Sequence, residues 1–160
     1  MKLPLLWLAA SLVVLWSGLA SAQIKDRHAG YYYPEPQVRE IFRSSVDTAP
    51  KATALSRAAF AVGIAIEQKK QDFAPPWHLF VKGAEKQKMI IVATHSGRYD
   101  TIFRLRALLA SLTSEARSTP IFRQASHPEE LTFLDFCKRL GFERVTVSDG
   151  DKVALQIDLK

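Results

Sequence analysis

Cysteine is almost absent: Cys137 is the single one in 160 residues. A monomer with one thiol closes no disulfide, and zinc sites built from paired Cys and His are excluded with it. The four histidines (His28, His78, His95 and His127) fall at no helical or finger-like spacing, so no metal site is expected. Glycine is also sparse, with seven scattered residues. Neither G-x-G-x-x-G nor G-x-x-x-x-G-K-[ST] occurs, so no loop is available to cradle a nucleotide phosphate, and no cofactor is expected. The G-x-S-x-G nucleophile elbow is missing as well, because Thr94 and Arg98 flank His95-Ser96-Gly97. No period of 20–50 residues is present, which excludes a repeat architecture.

What the sequence does contain begins with an apolar leader. Met1-Lys2 precedes a 14-residue apolar run from Leu3 to Trp16, and Ala20-Ser21-Ala22 fits the small-residue cleavage rule. Residues 1–22 therefore read as a secretory signal peptide, with cleavage near Ala22 and a periplasmic or secreted product starting at Gln23. Membrane contact would come only through this segment if it stayed uncleaved. No cysteine follows the leader and no Arg-Arg pair precedes it, so neither lipid attachment nor twin-arginine export is expected. Losing Lys2 with the leader takes the net charge from +6 to +5. The basic residues are interspersed with acids, which does not make a nucleic-acid footprint.

Residues 23–37 show no apolar periodicity and read as an extended Tyr/Pro-rich segment. Residues 38–160 read as one domain. Strands are predicted at Val38–Val46, Ala58–Glu67, Trp77–Lys82 and Lys88–Thr94. The second of the four is argued from Phe60, Val62, Ile64 and Ile66 falling at every second position. A helix follows over Asp100–Arg117, with Ile102, Leu105, Leu109, Leu112 and Ala116 on one face. Ile121-Phe122 adds a short extended piece. A second helix begins at Pro128, after His127, buries Phe133, Phe136, Cys137 and Leu140, and stops at Gly141. Two strands then flank Ser148-Asp149-Gly150-Asp151, where Asp-Gly signals a hairpin. The order β-β-β-β-α-α-β-β implies an α+β fold: a mainly antiparallel sheet with two helices packed on one face.

Three groups of residues are candidates for function. Tyr31, Tyr32 and Tyr33 offer large rigid rings with polar tips, suited either to a recognition surface or to a strap that closes the sheet. Arg98, Arg104 and Arg106 near the start of the first helix could form an anion patch. His95, Ser96 and Arg98 lie on a strand-to-helix turn, where a hydrolase or transferase site would need a further titratable partner. Cys137 reads as a buried small hydrophobe.

The string Arg27-His-Ala-Gly-Tyr-Tyr-Tyr-Pro-Glu-Pro, with Leu140-Gly-Phe-Glu-Arg-Val-Thr-Val-Ser-Asp-Gly150, resembles a family of short exported bacterial proteins. Some members of that family carry the label "molybdopterin-guanine dinucleotide biosynthesis protein A". The resemblance implies an exported protein and brings no catalytic residues. The labelled activity would require a glycine-rich nucleotide loop with Arg and Lys, which this sequence lacks. The expectation is an exported, non-enzymatic binding or accessory domain whose partner is an envelope protein or ligand.

Overall fold

In the computed structural model, which describes residues 34–50 and 52–160, five strands and four helices form an α+β domain. The strands are β1 (Val38–Phe42), β2 (Trp77–Lys82), β3 (Lys88–Ala93), β4 (Arg144–Ser148) and β5 (Ala154–Leu159). The helices are α1 (Ala54–Lys69), α2 (Ile102–Ser118), α3 (Pro120–Arg123) and α4 (Phe133–Arg139). The sheet order is β1-β5-β4-β3-β2. β2 pairs β3 and β4 pairs β5 antiparallel, while β1 pairs β5 and β3 pairs β4 in parallel. The sheet is therefore mixed, a correction to the expected antiparallel arrangement. The reason is connectivity. Only β2–β3 and β4–β5 are joined by tight turns, whereas a helical layer separates β3 from β4, and such crossovers return the chain in parallel.

The largest correction is α1. Residues 58–67, expected as a strand, lie within a 16-residue helix. Thr53 caps it: its hydroxyl accepts from Ser56 N at 3.1 Å, while Ser56 Oγ accepts from Thr53 N at 2.9 Å. The every-second-residue pattern has a helical origin. Two steps along a helix turn about 200°, so Phe60 and Ile64 share one side while Val62 and Ile66 share the other. Phe60 and Ile64 are buried. Two apolar stripes on opposite sides of one helix mimic the alternation of a strand.

The second expected helix is shorter than its pattern suggested. Pro128–Glu130 form a turn, His127 adopts φ 52°, and α4 starts only at Phe133. Thr132 and Asp135 make the capping box that sets this start, so His127 plays no part in the cap. Gly141 ends the helix as anticipated. Its N donates to Lys138 O at 2.9 Å and Phe142 N to Cys137 O at 3.0 Å, with Gly141 at φ 78°. Ile121-Phe122, expected to be extended, belongs to α3.

All four helices pack on one side of the sheet: α1 against β2, α2 and α3, and α2 against α3, α4, β4 and β5. The core lies between this layer and Trp77, Met89, Ile91, Val145, Val147 and Leu155. Phe136 is its aromatic centre, edge-on to Phe60 at 5.1 Å and tilted against Phe122 at 4.3 Å. Each such buried ring contributes about 1.5–3 kcal/mol. Cys137 is fully buried in this layer, 4.0 Å from Met89 Sδ.

One buried cation orients α1. Arg57 is 6% exposed, and its Nε and Nη2 donate to Glu85 O at 2.8 and 2.5 Å. Nη1 donates to Leu140 O at 3.0 Å and Gly141 O at 3.4 Å. A Cβ on residue 141 would stand 2.8 Å from Nη1, a second reason for glycine there. Replacing Arg57 by methionine leaves buried carbonyls unpaired. We expect a loss of about 2–4 kcal/mol in urea unfolding at neutral pH, with Arg57→Lys recovering only part.

Candidate functional site

The turn that carries His95, Ser96 and Arg98 is a single 3-10 turn, Ser96–Arg98, between β3 and α2. His95 is exposed, and its Nδ1 lies 3.1 Å from Thr94 Oγ1. That hydroxyl donates to Pro75 O at 3.0 Å, so it accepts from His95 when Nδ1 carries the proton. Threonine is not titratable at working pH, and a relay needs a second acid or base within hydrogen-bond reach of the imidazole. The Arg98 guanidinium sits 5.7 Å from the centroid of the Tyr99 ring.

The expected trio of arginines is divided by helical phase. Arg104 and Arg106 are two residues apart, hence about 200° apart on α2. Arg98 and Arg104 border a shallow cavity of about 280 Å³ with Tyr99, Ala107, Leu108 and Ser111. Arg104 is already neutralised there by Asp100 at 2.8 Å and also donates to Gly97 O at 3.3 Å. Arg106 points toward the opposite edge, where Glu40 of β1 pairs with it. Its cavity, about 480 Å³, is lined by Phe42, Leu109, Phe133, Leu134 and Ile157. The three cations therefore do not converge on one anion. Tyr31, Tyr32 and Tyr33, and the leader, lie outside the described residues.

A cluster that spacing did not suggest is His127, Glu129 and Glu130, whose ligand atoms lie within 4.8 Å of one another on exposed surface. The turn after Ser126 brings them together. Among the described residues no helix is long and apolar enough to cross a membrane.

The surface that sequence reasoning missed is on α1. Leu55, Val62 and Ile66 are 79%, 57% and 51% exposed, and Ala59 between them is exposed too. Their spacing is four, three, four, the period of a seam between two helices. Beside this stripe Ala58, Ala61, Val62 and Ala65 face Leu79 and Val81 of β2 across a groove of about 440 Å³. The signal was present in the sequence as two interleaved apolar sets, and it was absorbed into the strand reading. Apolar side chains of this size on one solvent-facing stripe make it a candidate interaction surface.

Two other ionisable groups are perturbed by local structure. Burial pushes Glu115 up, opposed by a hydrogen bond from the Trp77 indole, and burial alone pushes the Cys137 thiol well up. Comparison with protein-family models, with curated proteins and with solved structures finds no match to this chain.

Asp135 gives a pH test of this region. Burial opposes its ionisation, but bonds from Thr132 Oγ1 (2.6 Å), Ser44 Oγ (2.7 Å) and Thr132 N (3.1 Å) outweigh it and hold the carboxyl below its ordinary value. Its stabilisation is complete above the unfolded pKa of about 3.9. It fades as pH falls through the lower folded value. Asp135→Ala should cost about 1–2 kcal/mol at pH 7. In urea unfolding the gap to wild type should narrow steadily as the pH is lowered past the carboxylate range.

Proposed function

We propose that this protein is an exported, non-enzymatic binding domain of the cell envelope, released by cleavage near Ala22, and that the outer stripe of α1 is its recognition surface. The single observation behind the reading is that α1 has two apolar sides, and the fold buries one of them. Leu55, Ala59, Val62 and Ile66 form the other. The partner that fits is an apolar helical segment of an envelope protein, because the four-three-four spacing presents knobs at the repeat a second helix matches. Ala59, together with Ala58, Ala61 and Ala65 on the groove side, leaves room for close approach of that helix. Lys69 at the C-terminal end of the stripe favours an acidic group beyond the partner's apolar stretch.

The export leader and the resemblance to short exported bacterial proteins support the compartment. The pairing of Arg104 with Asp100 and of Arg106 with Glu40 weakens the expected anion patch as the recognition surface and leaves α1 as the better candidate.

The test places a photo-crosslinking amino acid at Val62 in the full chain, expressed in cells, with the same label at Phe103 as control. Phe103 is also solvent-facing but lies on α2. A discrete adduct from position 62, absent from position 103 and abolished by Ile66→Glu, is the expected outcome. Equal, diffuse labelling at both positions, or an adduct indifferent to Ile66→Glu, would overturn the reading. An adduct of twice the chain mass would assign the stripe to self-association instead.

A further inference from the structure

On the helical side of the sheet, α2 packs on β4 and β5, and the edge strand β1 lies beyond it. The cavity of about 480 Å³ noted above occupies this step, between β1, β5, α2 and α4. Buried Leu109, Phe133 and Ile157 form its floor, and half-buried Phe42 and Leu134 stand at its sides. The space has a sequence origin. Arg106, Ala110 and Thr113 fall four and three residues apart, so they share one side of α2. The two that follow the arginine are small, and neither fills the gap toward β1. Phe133 N donates to Thr113 Oγ1 at 3.1 Å, which holds the start of α4 against α2 along the floor. Small-molecule sites span roughly 300–1,000 Å³ and are mostly apolar with a few placed polar groups. This trough meets both conditions.

Its polar groups are few. Among the described residues that line it, only Arg106 and Glu40 are charged. The pairing register sets Glu40 beside Ile157, and the carboxylate meets Arg106 at the rim. Arg106 Nε donates to Glu40 Oε1 at 3.2 Å, and Nη2 donates to the same oxygen. The fork thus converges on one oxygen, and Arg106 Nη1 and Glu40 Oε2 keep donor and acceptor capacity for something else. The pair is also charge-balanced. A ligand bearing a full charge would bring a third charge with no partner to the edge of an apolar trough, which is unfavourable. An uncharged head with one acceptor and one donor matches the rim as it stands.

We propose that this trough binds an uncharged acyl ester of the monoacylglycerol kind. The ester carbonyl accepts from Arg106 Nη1, a hydroxyl of the head donates to Glu40 Oε2, and the acyl tail runs over Ala110 between Phe42 and Leu134. The trough follows α2 from Arg106 to Thr113, two turns or about 10 Å, a length and outline that suit a linear tail better than a broad ring system. Burial of that tail against Leu109, Phe133 and Ile157 supplies the affinity, and the charge-balanced rim supplies the choice of head. The site is separate from the outer stripe of α1, and the inference stands independently of the role given to that helix.

The experiment titrates the full chain, expressed for export and purified, with glycerol monolaurate and with laurate, each below its micelle concentration, by calorimetry. Saturable one-to-one binding of the monolaurate is expected, about tenfold or more tighter than that of laurate. Glu40→Gln removes the balancing charge and should turn the preference toward laurate. Ala110→Phe places a ring in the trough at an exposed position and should weaken monolaurate binding about tenfold or more. Ser111→Phe, exposed on another side of the same helix, should leave it nearly unchanged. The wild-type protein supplies a readout that no substitution can disturb: methyl resonances of Leu134 and Ile157 should shift on addition of the monolaurate. Absence of saturable binding, tighter binding of laurate by the wild type, or equal binding by Ala110→Phe would overturn the proposal. So would methyl shifts at Leu79 and Val81, in the groove beside α1, in place of those at Leu134 and Ile157.

Discussion

Arg57 is the constraint from which the rest of the structure follows. A guanidinium buried to this degree must be solvated by the protein, and here main-chain carbonyls do that work in place of a carboxylate. The carbonyls come from the β2–β3 turn at Glu85 and from the end of α4 at Leu140 and Gly141. One side chain therefore ties together α1, the outer hairpin and the last crossover. It also sets the rotation of α1. With Arg57 turned inward, Phe60, Ile64 and Gln68 follow it into the core at helical spacing, and Gln68 Nε2 donates to Trp77 O at 3.1 Å. Leu55, Val62 and Ile66 are then turned outward by geometry. The exposed stripe is a consequence of how the buried one is held.

Much of the architecture was legible in the sequence. β2, β3, α2 and the β4–β5 hairpin follow their patterns to within a residue or two at most ends, because each pattern had one side to bury. The Asp149 turn is typical. Its Oδ1 accepts from the amides of Asp151, Lys152 and Val153 at 2.9 Å, and Gly150 takes φ 79°. That chemistry is local, so four residues announce it. α1 was misread because it has two sides to bury, and interleaved helical stripes imitate alternation. The parallel pairings of β1 with β5 and β3 with β4 were missed for another reason: which distant strands become neighbours is decided by helix packing, which no short window contains. Among candidate site residues, Arg104 and Arg106 were grouped by proximity in sequence although helical phase sends them to different sides.

The fold thus has two faces with different needs. The helical layer fills its own interior and leaves an apolar stripe over after doing so. The opposite face has no helices, and Ile90 and Thr146 there are nevertheless dry. On the proposed reading, the first is the surface that a partner covers. This division explains why a domain with few titratable groups in proximity still carries aromatic and aliphatic side chains beyond what its core requires. Recognition surfaces are built from such residues, and catalytic ones need convergent polar groups as well.

The central claim is that the outer stripe of α1 contributes nothing to folding the isolated chain. The most direct measurement is the unfolding free energy of the Val62→Glu, Ile66→Glu double variant at neutral pH, at a concentration low enough to exclude self-association. The account predicts a change within about 1 kcal/mol of wild type, as for ordinary surface substitutions. A loss of roughly 3 kcal/mol or more, the cost of exposing or charging two buried aliphatic residues, would contradict it.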